Sequence, residues 1–484
     1  MASPPPLYSS DGKVYLYTRQ HYLTIRSKLK VTLDKGDVVG IKLPKEPCYF
    51  LCMLACMELG VPYVPLKEDF PDNRIQEIKE DSDIKLIIDS AYFAAALMNE
   101  TPTLSTEEKQ WPITDDEPLY IIFTSGSTGR PKGVVISRAA FIAFSDWFSN
   151  YAADINQTDR VLQVTEFTFD ISLIDIILYL EKKISLYFSG YNGAIFKLVQ
   201  EISFHRITTI NTVPNNLNMM LNDFIVSKAD FSSLTDLIIG GARFNHGLYK
   251  KVCRIFSCKN ITNFYGPTEF TIYSHSKKIK FDSLIDCIDN NVSIGIANTS
   301  VHSEIYNDGS FCSAGKSGEL LLSGKQFMSE YINDAARTSE ATIVIDGVAY
   351  YRTGDLAFKN EKDEFFITGR FDDTIKYRGY RINLQDVDSY IGRLPYVQDV
   401  TTISVADDVR ENLTVSYIIP SIDSLQELTQ SQVKTDLKEF LVDYQIPEKI
   451  KFIDVLPTNS NGKVCKKQLL QKYYDSTRRS GNGA

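Results

Sequence analysis

The sequence predicts an α/β protein: a large N-terminal domain of α/β layers with parallel-rich sheets plus a β-rich subdomain, and a small, mobile α+β domain at the C-terminal end. Three observations carry that prediction. Through the first half, short apolar runs alternate with amphipathic stretches, the order that strands and covering helices produce. After residue 290 the runs are separated by Gly, Asp-Gly and Lys-Asp turns, which is hairpin texture. Finally, about 110 residues follow Asp372, in the charge- and glycine-rich run Gly369–Ile382 (GRFDDTIKYRGYRI), and that is enough chain for one further small domain.

Val38–Leu43 (VVGIKL) reads as a strand, and Cys48–Leu59 as a buried helix stopped by Gly60. Tyr63–Leu66 is a second short strand. Pro71–Lys79 places Ile75 and Ile78 on one helical face, and Leu86–Ile88 returns to strand. Leu119–Phe123 (LYIIF) is an apolar strand, and the amphipathic helix beyond it carries Phe141, Phe144, Phe148 and Tyr151 on one face. Arg160–Val164, Thr208–Val213 and Leu237–Ile239 repeat the strand pattern. Val301–Tyr306, Glu319–Leu322, Glu364–Ile367 and Ile375–Tyr377 are the hairpin strands. The run Gly369–Ile382 has few apolar anchors and reads as a junction where the chain pivots, which divides it into 1–371 and 372–484. No fixed-period repeat is visible, which removes solenoids and propellers. Arg478–Ala484 (RRSGNGA) reads as an unstructured tail.

Composition narrows the function. With 52 Lys+Arg against 61 Asp+Glu the formal charge is −9, the wrong sign for neutralising nucleic-acid phosphates. At 43% hydrophobic and 12% aromatic residues over 484 positions, the chain can bury a large core. No apolar stretch reaches the roughly 18 residues of a membrane helix, and MASPPP at the start lacks the regions of a secretory signal. The expected setting is soluble and cytoplasmic, the expected state monomeric. Cys48, Cys52 and Cys56 recur at helical spacing among Phe50, Leu51, Met53 and Leu54, which predicts thiols packed as small apolar groups. The five histidines are scattered without metal-ligand spacing.

The strongest local signal follows LYIIF directly. Thr124-Ser125-Gly126-Ser127-Thr128-Gly129-Arg130-Pro131-Lys132-Gly133 packs glycines, hydroxyls and a lysine into ten residues between a strand and an amphipathic helix. Such a loop offers backbone N–H and O–H donors to phosphate oxygens. It is not a Walker A loop, because Pro131 precedes Lys132 and Gly133 follows it.

With this loop the sequence resembles the adenylate-forming enzymes, and among them the amino-acid adenylation domains of nonribosomal peptide synthesis. Further matching segments follow in the family's order: ELGVPYVPL (58–66), FTFDISLID (167–175), NFYGPTEFTI (263–272), GELLLSG (318–324), YRTGDL (351–356), GRFDDTIKYRGYRI (369–382) and NGKVCKKQL (461–469). The resemblance implies ATP and Mg²⁺, an amino-acid substrate and a phosphopantetheinylated carrier protein as partner.

It also implies roles. Thr124 to Gly129 and Lys132 would cradle the phosphates. Asn263, Tyr265 and Gly266 would meet the nucleotide, with Tyr265 offering a flat face to adenine. Thr268 would contact the α-phosphate and Glu269 the Mg²⁺, since magnesium is held by one or two carboxylates plus substrate phosphates. Asp355 would accept two hydrogen bonds from the ribose diol, and Arg370 is the second nucleotide contact. Lys463 resembles the catalytic lysine that bridges the substrate carboxylate and the α-phosphate. Asp372 matches the hinge between an adenylating and a thioester-forming pose, and Gly379 would meet the incoming thiol. Asp170 would pair with the substrate's α-ammonium group, which favours an α-amino acid.

The remaining pocket positions are Ile171, Ile174, Asn211, Ile238, Gly240, Phe264, Ile272 and Tyr273. This mostly apolar lining, narrowed by Phe264 and Tyr273, suits a small or cyclic aliphatic amino acid, unless Asn211 hydrogen-bonds a polar side chain. The segment before Leu7 is shorter than the family's, which reads as truncation or divergence, and RINLQDVD (381–388) departs from the usual acidic pattern. No carrier segment follows Lys463, so a separate or removed carrier is implied. Three other readings share some of these motifs: a D-alanyl carrier-protein ligase, an acyl- or aryl-CoA ligase, and an inactive adenylation-like binding domain.

Overall fold

The computed structural model describes residues 5–15, 19–98, 114–124, 130–191, 193–256, 258–280, 287–288, 291–370, 374–377, 380–407, 411–421, 428–457 and 464–481. It is mixed α/β, as the alternation of runs predicts, and the chain forms two compact units. One comprises Met1–Asp69, Ile78–Phe123 and Gly133–Phe371; the other comprises Phe70–Glu77, Thr124–Lys132 and Asp372–Ala484.

Two sheets with parallel centres organise the first unit. In the larger, nine strands run in the order Ile296–Ala297, His275–Lys280, Asn260–Tyr265, Asp236–Ile239, Thr209–Thr212, Arg160–Gln163, Ser185–Phe188, Leu7–Tyr8, Val14–Tyr15. Its centre, from Asn260–Tyr265 to Leu7–Tyr8, is parallel, and antiparallel strands close both edges. In the second sheet Ile84–Ile88, Val38–Lys42, Tyr63–Leu66 and Pro118–Thr124 are parallel neighbours, and Glu330–Tyr331 pairs antiparallel with Lys132–Ser137. Covered parallel strands are apolar on both faces. Val39 and Ile41 on one face and Gly40 on the other are buried accordingly.

The helix Pro47–Leu59 shows how local sequence sets an element. Pro47 occupies the first turn, where a missing N–H costs nothing, and Gly60 takes the left-handed φ of 70° that ends the helix. Apolar all round, it buries Cys48, Cys52 and Cys56. Burial pushes the Cys48 and Cys56 thiols up to about 12 and the Cys52 thiol well above its usual range, so all three pack as inert hydrophobes. Phe144 and Phe148 anchor the helix Arg138–Tyr151, whose N-cap Ser137 accepts from the Ala140 N–H at 3.2 Å.

The hairpin texture after residue 290 folds into an antiparallel sheet in which Val301–Asn307, Gly318–Gly324, Val348–Lys359 and Phe365–Arg370 are successive neighbours. In the second unit Val397–Asp407 pairs antiparallel with Glu411–Pro420, and Lys449–Phe452 adds in parallel. The pleat divides its side chains. Ile418 and Ile450 pack with Val387, Ile391, Val433 and Leu437 of the helices Leu384–Gly392 and Gln430–Leu437. Val415 and Tyr417 pack with Leu469 and Tyr473 of the helix Lys466–Gly481.

Two local expectations are corrected. The run from Gly369 is less bare of apolar anchors than its composition indicates: Thr374–Tyr377 and Tyr380–Asn383 form an antiparallel hairpin, and Tyr377 and Ile382 are buried. The tail beginning at Arg478 is also not unstructured from its start. The last helix, anchored by Leu469 and Tyr473, runs through to Gly481. Among the described residues no helix is long and apolar enough to cross a membrane.

Candidate active site

The site grows from the C-terminal ends of three adjacent parallel strands, where open α/β sheets hold their ligands. Asn211 and Ile238 are register partners on Thr209–Thr212 and Asp236–Ile239, and Ile239 pairs with Asn263 on the next strand. Phe264 and Tyr265 end that strand. Consecutive strand residues face opposite sides, and the two aromatic rings accordingly enter different surroundings.

Phe264 stacks on Tyr273, ring centroids 4.6 Å apart and planes 5° from parallel. The Tyr273 hydroxyl covers Gly240 so closely that a Cβ at residue 240 would lie 2.2 Å from it. Only glycine fits beneath that ring. Asp170 opens a short helical turn, Asp170–Ser172, that continues into Leu173–Ile177. It is 6% exposed, among Ile171 and Ile174, which are also buried. The Asn211 side-chain amide donates to the Ile171 carbonyl at 3.0 Å and ties this turn to the strand end. Burial first, and then the negative charge of Asp170, raise the Tyr120 and Tyr273 hydroxyls well above the usual tyrosine range.

Ile272 and Tyr273 sit on a strained turn. Thr271 and Ile272 take φ values of 47° and 68°, a left-handed conformation that β-branched residues avoid. The turn is stapled from outside. Gln326, fully buried, donates to the carbonyls of Phe270, Thr271 and Tyr273 at 3.2, 3.2 and 3.1 Å. Asn298 donates to the Tyr273 carbonyl at 3.1 Å and to the Gln326 side-chain oxygen at 2.5 Å. Sequence reasoning missed both residues, because a buried amide in a loop has no periodicity. Gly266 is the one position in this segment where the backbone demands glycine: a Cβ there would meet the Ile272 carbonyl oxygen at 2.3 Å.

On the other side of the strand, the Tyr265 hydroxyl donates to Asp355 Oδ2, and Arg370 Nη1 donates to Asp355 Oδ1 at 2.6 Å. Asp355 and Arg370 are register partners across the hairpin from Val348–Lys359 to Phe365–Arg370. YRTGDL and Arg370, nineteen positions from the start of that motif, thus form one cluster. Arg370 also donates to the Thr353 carbonyl at 3.2 Å, and the Thr353 hydroxyl accepts from the Asp355 N–H at 3.0 Å. A carboxylate has about four lone-pair directions. With two used by Tyr265 and Arg370, Asp355 retains capacity for the two hydroxyls of a diol. Asn263 directs its amide to the Ser293 carbonyl at 2.9 Å.

Thr268 and Glu269 lie on the turn Thr268–Phe270. Glu269 is fully buried, and Tyr331 donates its hydroxyl to Oε1 at 2.7 Å. No group of three or more His, Cys, Asp or Glu that would form a closed metal cage exists among the described residues. One buried carboxylate fits a Mg²⁺ that takes its other ligands from substrate phosphates and water.

Thr124 ends the strand Pro118–Thr124 and Lys132 begins Lys132–Ser137. Ser125, Gly126, Ser127, Thr128 and Gly129 lie outside the described residues, as do Asp372, Gly379 and Lys463.

A buried acid beside an aromatic wall, a carboxylate–arginine pair that suits a ribose and a buried glutamate that suits Mg²⁺ are together what an adenylate-forming site would need. The profile of the AMP-binding enzymes matches residues 27–332, and that of the AMP-binding enzyme C-terminal domain matches residues 386–463. The chain belongs to this family, the ANL superfamily of adenylate-forming enzymes. It is accordingly a ligase of the acid–thiol type that uses ATP with Mg²⁺.

Among curated proteins the chain is 29% identical over 472 residues to the dapdiamide synthesis protein DdaD of Enterobacter agglomerans, covering 94% of this chain and 77% of that one. It is 27% identical over 475 residues to the D-alanine–D-alanyl carrier protein ligase of Bacillus licheniformis, covering 94% and 93%. Of solved structures, the Vibrio cholerae adenylation domain AlmE in complex with glycyl-adenosine-5'-phosphate superposes with a TM-score of 0.81 at 22% identity, covering 98% of this chain and 95% of that one. At that identity the match speaks for the fold.

Proposed function

We propose that the protein activates an amino acid as aminoacyl-AMP and then loads it onto the phosphopantetheine thiol of a carrier protein, in the manner of nonribosomal peptide synthesis. The observation that carries this reading is Asp170: a carboxylate 6% exposed, at a helical turn tied by Asn211 to the end of the strand Thr209–Thr212, two strands from the one that carries Phe264. A buried acid there favours a substrate with a cation next to its carboxylate. In the first half-reaction a carboxylate oxygen attacks the α-phosphorus of ATP, and the bond to pyrophosphate breaks. In the second, the carrier thiolate attacks the acyl carbon and AMP leaves.

Asp355, fixed by Tyr265 and Arg370, orients the ribose, and Thr268 and the Thr124–Lys132 loop hold phosphate oxygens. Mg²⁺, held by Glu269, would offset the polyphosphate charge. Lys463 is the proposed catalytic lysine, Asp372 the hinge and 372 the start of the mobile domain. The proposed setting is cytoplasmic and monomeric.

A second reading, D-alanyl carrier-protein ligase, is favoured by relatives of that name at 27% and 28% identity over most of their length. ATP–pyrophosphate exchange across L- and D-amino acids, aryl acids and fatty acids separates the readings. Amino-acid-dependent exchange is expected. Exchange restricted to D-alanine selects the second reading, and exchange with aryl or fatty acids alone overturns both.

A further inference from the structure

One cluster of polar atoms beside Asp170 remains unused by the roles above. Asp175 lies four residues beyond Ile171 on the same helical run, so it shares a face with the residue whose carbonyl Asn211 binds. Both oxygens of Asp175 are buried and accept no hydrogen bond. The Asn211 amide lies alongside but donates to Ile171, and Asn211 Oδ1 is itself buried without a donor. The Tyr273 hydroxyl, over Gly240, is the third buried group without a partner, and Asp175 is close enough for its charge to act on it.

The one cation acting on Asp175 is committed elsewhere among the described residues. Lys45 donates to the Val164 carbonyl at 2.7 Å and the Tyr191 carbonyl at 3.5 Å, with Glu166 Oε1 at 4.0 Å. Burial drives the Asp175 carboxyl well above the usual carboxylate range, against the pull of Lys45 and Asn211.

Unmet buried acceptors are costly, and native proteins satisfy nearly all of them. All three groups can accept a hydrogen bond from a donor that enters among them. Phe264 and Tyr273, two large rings stacked at 4.6 Å, also favour a short side chain.

We propose that the amino acid this enzyme activates carries a short side chain ending in a hydrogen-bond donor, an ammonium or a hydroxyl, received by Asp175, Asn211 Oδ1 and the Tyr273 hydroxyl. This inference rests on the amino-acid reading of the site and adds its substrate class. It also replaces the aliphatic side chain that the apolar lining alone favours.

The test compares side chains of equal heavy-atom count. 2,3-Diaminopropionate, serine and 2-aminobutyrate end in ammonium, hydroxyl and methyl, and kcat/KM in pyrophosphate exchange is measured for each, with alanine and D-alanine alongside. A site built for a donor rejects the analogue lacking it strongly. The expectation is that diaminopropionate or serine exceeds 2-aminobutyrate by at least about 100-fold. Asp175→Asn tells the donors apart, weakening an ammonium substrate more than a hydroxyl one. In Asn211→Leu the donor's advantage falls at least about 10-fold, one lost hydrogen bond to a buried acceptor; Tyr273→Phe serves where that variant does not fold. Equal or better turnover of 2-aminobutyrate, alanine or D-alanine overturns the inference and leaves the amino-acid reading standing. An unchanged ratio in the folded variants also overturns it. Exchange with no amino acid overturns both.

Discussion

Gln326→Leu offers a sharp test of how the substrate wall is held. The wild-type amide serves three carbonyls, those of Phe270, Thr271 and Tyr273, at 3.1 to 3.2 Å. Leucine nearly matches its volume but serves none of them, and it strands the Asn298 donor as well. At about 1 kcal/mol for each of the three hydrogen bonds lost, the loss is ~3 kcal/mol. Taking ~2 °C per kcal/mol for a large folded unit, the melting temperature falls by ~6 °C. The turn also stores strain, since left-handed Thr271 and Ile272 cost about 1–3 kcal/mol each and persist only while the surroundings impose them. Without the staple the turn relaxes and Tyr273 leaves its stack on Phe264. Pyrophosphate exchange is then expected to show KM for the amino acid raised at least about 10-fold and KM for ATP changed by less than about 3-fold, because the Asp355 cluster is untouched. A variant that melts within about 1 °C of wild type with an unaltered amino-acid KM refutes the staple.

Asp355→Asn keeps one acceptor oxygen but removes the other and the negative charge that Arg370 meets at 2.6 Å; KM for ATP is expected to rise by about 10-fold or more while amino-acid KM holds, and the opposite split counts against the ribose assignment. His275, fully buried beneath Tyr265 and Phe365, is held neutral by burial, its pKa lowered from 6.5 to about 3. Stability from this group is complete above pH 6.5 and is lost as pH falls toward 3, at up to about 1.4 kcal/mol per unit, because the unfolded chain takes a proton the folded one refuses. Urea midpoints of His275→Gln should therefore fall less steeply across that window than those of wild type, and parallel curves count against it. Lys463→Ala should abolish exchange while equilibrium ATP binding persists, and retained exchange removes the lysine from catalysis. Asp372→Pro should spare exchange and slow carrier loading; equal loss of both argues against a hinge.

Much of this was legible in sequence because it rests on patterns of short range. Strands such as Val38–Lys42 declare themselves by unbroken apolar runs, and the helix Pro47–Leu59 by its proline and glycine ends. Asp170, Phe264 and Asp355 lie within motifs. Illegible were partners brought together across long separations. Nothing in YRTGDL states that Asp355 will accept from Arg370, fifteen residues on, because that depends on the register of one hairpin. Gln326 meets Thr271 across 55 positions, and Lys45 reaches Val164 across 119. The end of the last helix was missed for a related reason: polar, glycine-bearing composition predicts disorder, but Leu469 and Tyr473 anchor a helix that propagates past them.

The pleat of one strand explains why two chemistries meet without mixing. Phe264 faces the aromatic wall and Tyr265 faces Asp355, with a single peptide bond between them. Their register is fixed on both flanks, by Ile239 opposite Asn263 and by His275 opposite Tyr265. A slip of one residue would carry the phenylalanine to the carboxylate and the tyrosine to the wall, so neither half could be retained alone. Catalysis needs the carboxylate oxygen and the α-phosphorus held a few ångströms apart, and a strand end spaces its side chains by about 3.3 Å per residue. The proposed amino-acid and nucleotide half-sites would thus owe their separation to backbone geometry. For that reason, substitutions in the Gln326 staple and at Asp355 should act independently, their free-energy effects adding within about 0.5 kcal/mol. A coupling well above that value in the double variant would mean that the strand transmits strain between the halves.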